Sequence, residues 1–183
     1  MLALRTLALL ATFTLLGAHR APPTVFDLSD AVGRHAPALT LARSDGAPFA
    51  FAALQGKPAY VFLFASWCEP CRMALPFVRD DFAKYGDRVQ FVGVDVLDDA
   101  ATARKAIANA AFPFPVTLYP IDELDAQIAP DAQLHAGMKY KIPSDFLIDA
   151  NGVVRYAWQG LAVNETGDPI DLLPSYLDKL GIR

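Results

Sequence analysis

The sequence predicts an α/β fold with a central mixed β-sheet flanked by helices, and three observations point there. Tyr60–Phe64 is an apolar and aromatic run without a turn residue, the pattern of a buried strand, and Val89–Val96 is a second. A helical stretch between them makes a right-handed βαβ unit whose strands run parallel. Phe146–Asp149 and Val153–Trp158 flank Ala150-Asn151-Gly152 and read as an antiparallel hairpin, so the sheet is mixed. Length and composition agree: 183 residues, 54% hydrophobic and 20% charged, suit one domain with a real core and exclude a disordered chain. Neither an internal repeat nor a low-complexity tract is present.

Residues 1–20 read as a signal peptide or membrane anchor. Arg5 supplies the positive start, Thr6–Leu16 an apolar run of eleven residues, and Leu16-Gly17-Ala18 a cleavage point whose outer residue, Leu16, is not small. A spanning helix needs about 20 apolar residues, and this run ends at His19-Arg20; Leu2–Ala18 spans only with snorkelling of Arg5. His19 stands where a lipidated cysteine would be. Export implies an oxidising compartment. Without residues 1–20 the chain keeps 14 basic against 20 acidic residues, because Arg5 and Arg20 are lost. That balance argues against nucleic acid and anionic lipid as partners. Membrane contact is then expected only through the N-terminal segment, if uncleaved. Residues 21–31, beginning Ala-Pro-Pro, form a linker, and residues 32–183 form the domain. Val25–Arg34 fits either a short helix or an arm.

Along the domain, Leu39-Thr40-Leu41 and Phe49-Ala50-Phe51 flank Ser44-Asp45-Gly46 and predict an N-terminal β-hairpin. Leu54–Pro58 turns into the Tyr60 strand. That strand ends at Ala65-Ser66-Trp67, and a helix opens at Cys68 with Pro70 in its first turn, where a missing N–H costs nothing. Pro76 is expected to kink this helix, and Gly86-Asp87 to stop it. Asp98 is read as the cap of an alanine-rich helix over residues 99–110. Phe112-Pro113-Phe114-Pro115 is incompatible with helix interior and leads into a strand at Val116–Tyr119. Ile121–Met138 reads as a helical insertion. Asp168-Pro169 starts a last helix whose stripe of Leu172, Leu173, Tyr176, Leu177 and Leu180 faces the core, and Gly181 ends it.

The chemistry centres on the chain's two cysteines. Cys68 and Cys71 fall on one helical face, within a modest adjustment of disulfide geometry. Cys68 sits at the helix N-terminus, where free N–H groups and the macrodipole favour thiolate. A zinc site needs about four N/S ligands, and the other candidates, His19, His35 and His135, are scattered. As a permanent staple, a bridge over two residues closes almost no loop. Thiol–disulfide exchange remains the strong reading.

Trp67-Cys68-Glu69-Pro70-Cys71-Arg72-Met73-Ala74-Leu75-Pro76 closely resembles the active-site segment of thioredoxins. Gly33-Arg34-His35-Ala36-Pro37, Asp45-Gly46 and Leu54-Gln55-Gly56-Lys57-Pro58 resemble the opening of the TlpA/ResA-like thiol-disulfide oxidoreductases of the bacterial cell envelope. Ile142-Pro143-Ser144-Asp145-Phe146-Leu147-Ile148-Asp149 is similar to their cis-proline loop and following strand. The resemblance covers about residues 32–180. It implies a thioredoxin fold with an added N-terminal hairpin and, here, an insertion before the cis-Pro loop.

It also implies roles. Cys68, the more exposed sulfur, attacks a client disulfide and Cys71 resolves the mixed disulfide. Trp67 supplies an apolar wall beside the sulfurs, or merely packs. Pro143 is cis, and the Ile142 backbone pairs with an extended client strand. Glu69 and Pro70 lie between the cysteines, with Glu69 facing solvent and opposing thiolate; a reductant therefore fits better than an oxidant. The implied partners are disulfide-containing exported proteins and a membrane or periplasmic thiol donor. No cofactor or metal is expected.

Two positions depart from the pattern. Thioredoxins carry a buried Asp six residues before the first cysteine, where this chain has Phe62. TlpA/ResA-like proteins often carry a Glu three residues after the second, where this chain has Ala74. Asp145 is the substitute acid considered for the buried thiol's proton. Two other classes compete. A peroxiredoxin would need a threonine where Ala65 stands. A copper chaperone would use the same cysteines with a third ligand such as His135 or Met138.

Overall fold

The computed structural model describes residues 31–36, 39–96, 98–119 and 142–183. Its strands are β1 (Thr40–Arg43), β2 (Pro48–Ala50), β3 (Ala59–Phe64), β4 (Gln90–Val96), β5 (Val116–Tyr119), β6 (Ser144–Ile148) and β7 (Val154–Gln159). They form one sheet in the order β2-β1-β5-β4-β3-β6-β7. The β3–β4 and β4–β5 pairs are parallel, while β3–β6, β6–β7, β1–β2 and β1–β5 are antiparallel. The helices are α1 (Glu69–Tyr85), α2 (Ala100–Ala110) and α3 (Leu173–Lys179), with a 3-10 turn at Phe51–Leu54. The mixed sheet, the parallel unit and both hairpins match expectation. Ile121–Met138 lies outside the described residues, as do residues 1–30.

Period-two alternation divides the sheet into two faces. Val61, Leu63, Val92, Val94, Phe146 and Ile148 pack on one side. Tyr60, Phe62, Phe64, Phe91 and Leu147 pack on the other, together with Cys68, Cys71 and residues of α1, α2 and α3. Rings tile this second face: Phe62 stacks on Phe64 at 5.5 Å and Phe64 meets Phe112 at 5.0 Å. Gly93 makes room for them, since a Cβ there would lie 3.1 Å from Val116 and 3.3 Å from Phe64. In the first hairpin Gly46 takes φ 87°, which frees the turn from the Cβ clash a larger residue would meet.

The structure moves two boundaries. Asp98 does not cap α2: Asp99 does, accepting from the N–H groups of Ala101 and Thr102. The Asp98 carboxylate instead accepts from the Ser66 N–H and hydroxyl across the sheet edge. The last helix starts at Leu173, not at Asp168-Pro169. Asn164 ties Thr166 and Asp168 into a loop through their N–H groups, and Val163 pairs with Pro169 as an antiparallel bridge. Those side-chain bonds offer the backbone an alternative to helix. The predicted stripe is core nonetheless, with Leu173 and Leu177 buried.

Candidate active site

β3 delivers the chain to the sheet edge, where Ala65-Ser66-Trp67 turns it into α1. Three bonds fix the turn. Asp98 holds Ser66 as described, with Oδ2 at 2.7 Å from the N–H and Oδ1 at 3.1 Å from the hydroxyl. Arg72 Nη1 donates to the Ser66 carbonyl at 3.3 Å. Cys68 is the N-cap of α1, with Glu69 and Pro70 in the first turn. Its sulfur accepts the Cys71 N–H at 3.1 Å, meeting one orphan donor of the helix end.

Cys68 and Cys71 are joined as a disulfide with Cα atoms 5.2 Å apart. Both are 3% exposed, so in this oxidised state Cys68 is not the more exposed sulfur that the sequence led us to expect. The pair belongs to one buried cluster with Phe62, Phe64 and Ala65. Trp67 behaves oppositely: at 53% exposure it is one of few large apolar side chains turned to solvent among the described residues, so ordinary core packing does not account for it. Glu69 is exposed as expected, but it is ion-paired with Arg72, which offsets its opposition to a thiolate.

Beneath the cysteines, α1 turns Cys71, Val78, Asp81 and Tyr85 inward. Ala74 lies on the same stripe, three residues beyond Cys71. It opens onto a cleft with about 30 Å³ of free space, shared with Tyr60, Asp81, Pro143, Asp145 and Asp171. That volume suffices for water. The Ile142–Pro143 bond is cis, as the resemblance implied, and Ile142 packs against the core cluster that holds both cysteines.

Asp145 is 4% exposed and accepts a hydrogen bond from the Tyr60 hydroxyl. Burial pushes its carboxyl up to about 7; the Tyr60 bond works the other way, and the Asp171 charge adds to the rise. Burial and then Asp145 hold the Tyr60 hydroxyl well above its ordinary value. Asp81 and Asp171 face each other across the cleft, and both are raised, first by burial and, for Asp81, next by its neighbour's charge. A further acid, Asp95 on β4, is buried and pushed up to about 9, by burial first and then by the Asp98 charge.

Of the residues singled out from sequence, Pro143 and Asp145 line this cleft; Tyr60, Asp81 and Asp171 line it too, and these, like the buried Asp95 on β4, were not singled out. A signal existed for two of them: Asp95 interrupts an apolar strand run, and Asp81 falls on the inward stripe of α1. Among the described residues, no group of three or more His, Cys, Asp or Glu is placed to hold a metal ion. His135 and Met138, the ligands considered for copper, lie outside those residues. Likewise, no helix among them is long and apolar enough to cross a membrane.

The Redoxin family model matches residues 31–169. The chain is 35% identical over 108 residues to the thiol:disulfide interchange protein DsbE of Pseudomonas fluorescens biotype C, a match covering 59% of this chain but only 54% of that one. It is 26% identical over 136 residues to the thiol-disulfide oxidoreductase ResA of Geobacillus thermodenitrificans, covering 74% and 73%. Among solved structures, a thiol:disulfide interchange protein of the thioredoxin family from Chlorobium tepidum TLS superposes with a TM-score of 0.59 at 26% identity, over 84% of this chain and 99% of that one.

Proposed function

We propose, from the premise that this chain belongs to the Redoxin family and shares the thioredoxin fold of the DsbE and ResA oxidoreductases, that it reduces disulfides in exported protein clients. The observation that carries this reading is the Cys68–Cys71 disulfide at the head of α1, its N-cap sulfur already accepting a helix N–H. In the reduced protein Cys68, as thiolate, attacks one sulfur of a client disulfide; the client's other sulfur leaves as a thiol after taking a proton. Cys71 then attacks Cys68, forms the internal disulfide and releases the second client thiol. Two electrons pass to the client, and a membrane or periplasmic thiol donor restores the dithiol. Trp67 offers a flat exposed surface to the client, and the backbone of Ile142, just before the cis bond to Pro143, pairs with its extended strand.

Asp145 serves the Cys71 proton. Ala74, three residues beyond Cys71 on α1, and Asp145 line one cleft whose free space has room for a bridging water. A carboxyl near 7 can both give and take a proton at neutral pH.

The direction follows from what supports the Cys68 thiolate. The helix terminus and the Cys71 N–H support it, while the Glu69–Arg72 pair contributes little net charge. A strong oxidant needs a more heavily stabilised thiolate than this. The reading places the domain outside the cytoplasm, with residues 1–20 as its export signal or anchor.

A Cys71→Ser chain tests the proposal in extracts containing exported proteins. It should accumulate mixed disulfides through Cys68, and Cys68→Ser should accumulate none. Equal capture by both variants, or by neither, would reject it.

A further inference from the structure

Asp95 has a property that the exchange mechanism leaves unused. It lies on β4 directly beside Phe64 of β3, so it faces the side of the sheet that carries the cysteines. It is 1% exposed, and neither of its oxygens is met by an N–H or hydroxyl donor among the described residues. Burial without a donor strongly disfavours an ionised carboxylate. As a neutral acid it has a donor of its own, and its polar neighbour is Asp98. Asp98 in turn spends one oxygen on the Ser66 N–H and the other on the Ser66 hydroxyl. A carboxylate has about four acceptor sites, so a third bond, from Asp95, is available to it.

We propose that Asp95 is a positioning residue for the redox turn: it keeps its proton, donates it to Asp98, and so orients the carboxylate that holds Ser66 two residues before Cys68. The inference rests on the exchange reading above. The charged groups acting on Asp95 are Asp98 and Asp99, both acidic, and Asp99 is fixed at the start of α2 by its cap bonds. Arg72 reaches the turn through the Ser66 carbonyl instead. Reduction puts negative charge on Cys68 beside this turn. With its proton in place the carboxyl pair carries one charge there; without it the pair carries two, which repel each other and the thiolate. Burial and Asp98 raise Asp95 to about 9, which keeps that proton in place through the neutral range.

The test measures the rate at which Cys68 forms a mixed disulfide with the aromatic disulfide dithionitrobenzoate, in a Cys71→Ser background, from pH 6 to pH 10. Rates are normalised to the thiolate fraction. Asp95→Leu, which cannot donate, should be about tenfold slower at pH 7, and Asp95→Asn, which can, should lie within threefold of the Asp95 protein. Above pH 9 the Asp95 protein should slow toward the Leu variant while the Asn variant does not. Equal rates in Asn and Leu variants, or one shared alkaline profile for Asp95 and Asn, would overturn the inference. If the Leu variant fails to fold, the alkaline comparison decides alone. An Asp95 protein that forms no mixed disulfide at any pH rejects the exchange reading, and this inference with it.

Discussion

Asp145 stands directly across the β3–β6 ladder from Phe62. Opposed residues of an antiparallel pair share a face, so the carboxyl projects beside the position where thioredoxins keep their buried acid. It also borders the cleft that Ala74 leaves on the helix side. On the proposed reading, one acid supplied from the neighbouring strand serves in place of the two that this sequence lacks.

Replacing Asp145 with Asn should slow closure of the internal disulfide on the order of 10²-fold, the usual scale for a lost general acid–base. Adding Ala74→Glu should recover most of that loss, because a carboxylate then enters the same cleft from α1. Stopped-flow measurement of the resolving step checks both. An Asp145→Asn chain with an unchanged rate and pH dependence removes Asp145 from the mechanism.

Tyr60→Phe deletes the hydrogen bond that lowers the Asp145 carboxyl. The midpoint of the resolving step's pH profile should therefore move upward, above about 7. A downward move would contradict the assigned direction.

Stability should fall as pH rises from about 5 to 9. Burial pushes Asp145 up to about 7 and Asp95 up to about 9, well above the ordinary carboxylate range, and raises Asp81 as well. Between those limits the folded chain binds more protons than the unfolded one, so its advantage is complete below the unfolded value and is lost through the folded ones. Asp99 and Asp149 are held low and act in the opposite sense, weakening the fold only under strong acid. Urea denaturation at several pH values should place the optimum on the acidic side of neutral. Asp81→Asn should flatten the alkaline decline.

Trp67→Ala should raise KM for protein clients roughly tenfold, equivalent to about 1.4 kcal/mol of binding. Because the side chain is mostly exposed, the folded state should lose little. Reactivity toward a small disulfide should change less than threefold.

How much of this was legible in the residues depends on the range of the signal. The Tyr60–Phe64 run, the Pro70-containing helix start and the Asn151-Gly152 turn are local patterns, and each element formed where its pattern lay. Asp98 was misjudged because either of two adjacent aspartates satisfies a cap rule. Only the turn of β3 against the loop after β4 shows that Asp98 is taken by Ser66. The pairing of Tyr60 with Asp145 joins residues 85 positions apart, and the facing of Asp81 and Asp171 depends on how α1 and the approach to α3 dock. Such contacts are decided by sheet register and helix packing, which a one-dimensional pattern does not carry.

The most direct test mixes the fully reduced protein with an equimolar disulfide-containing protein and counts free thiols on each by mass spectrometry. Two thiols should disappear from Cys68 and Cys71 as two appear on the client, and the equilibrium should favour the reduced client. A client left oxidised, or cysteines here that stay reduced, would contradict a disulfide reductant.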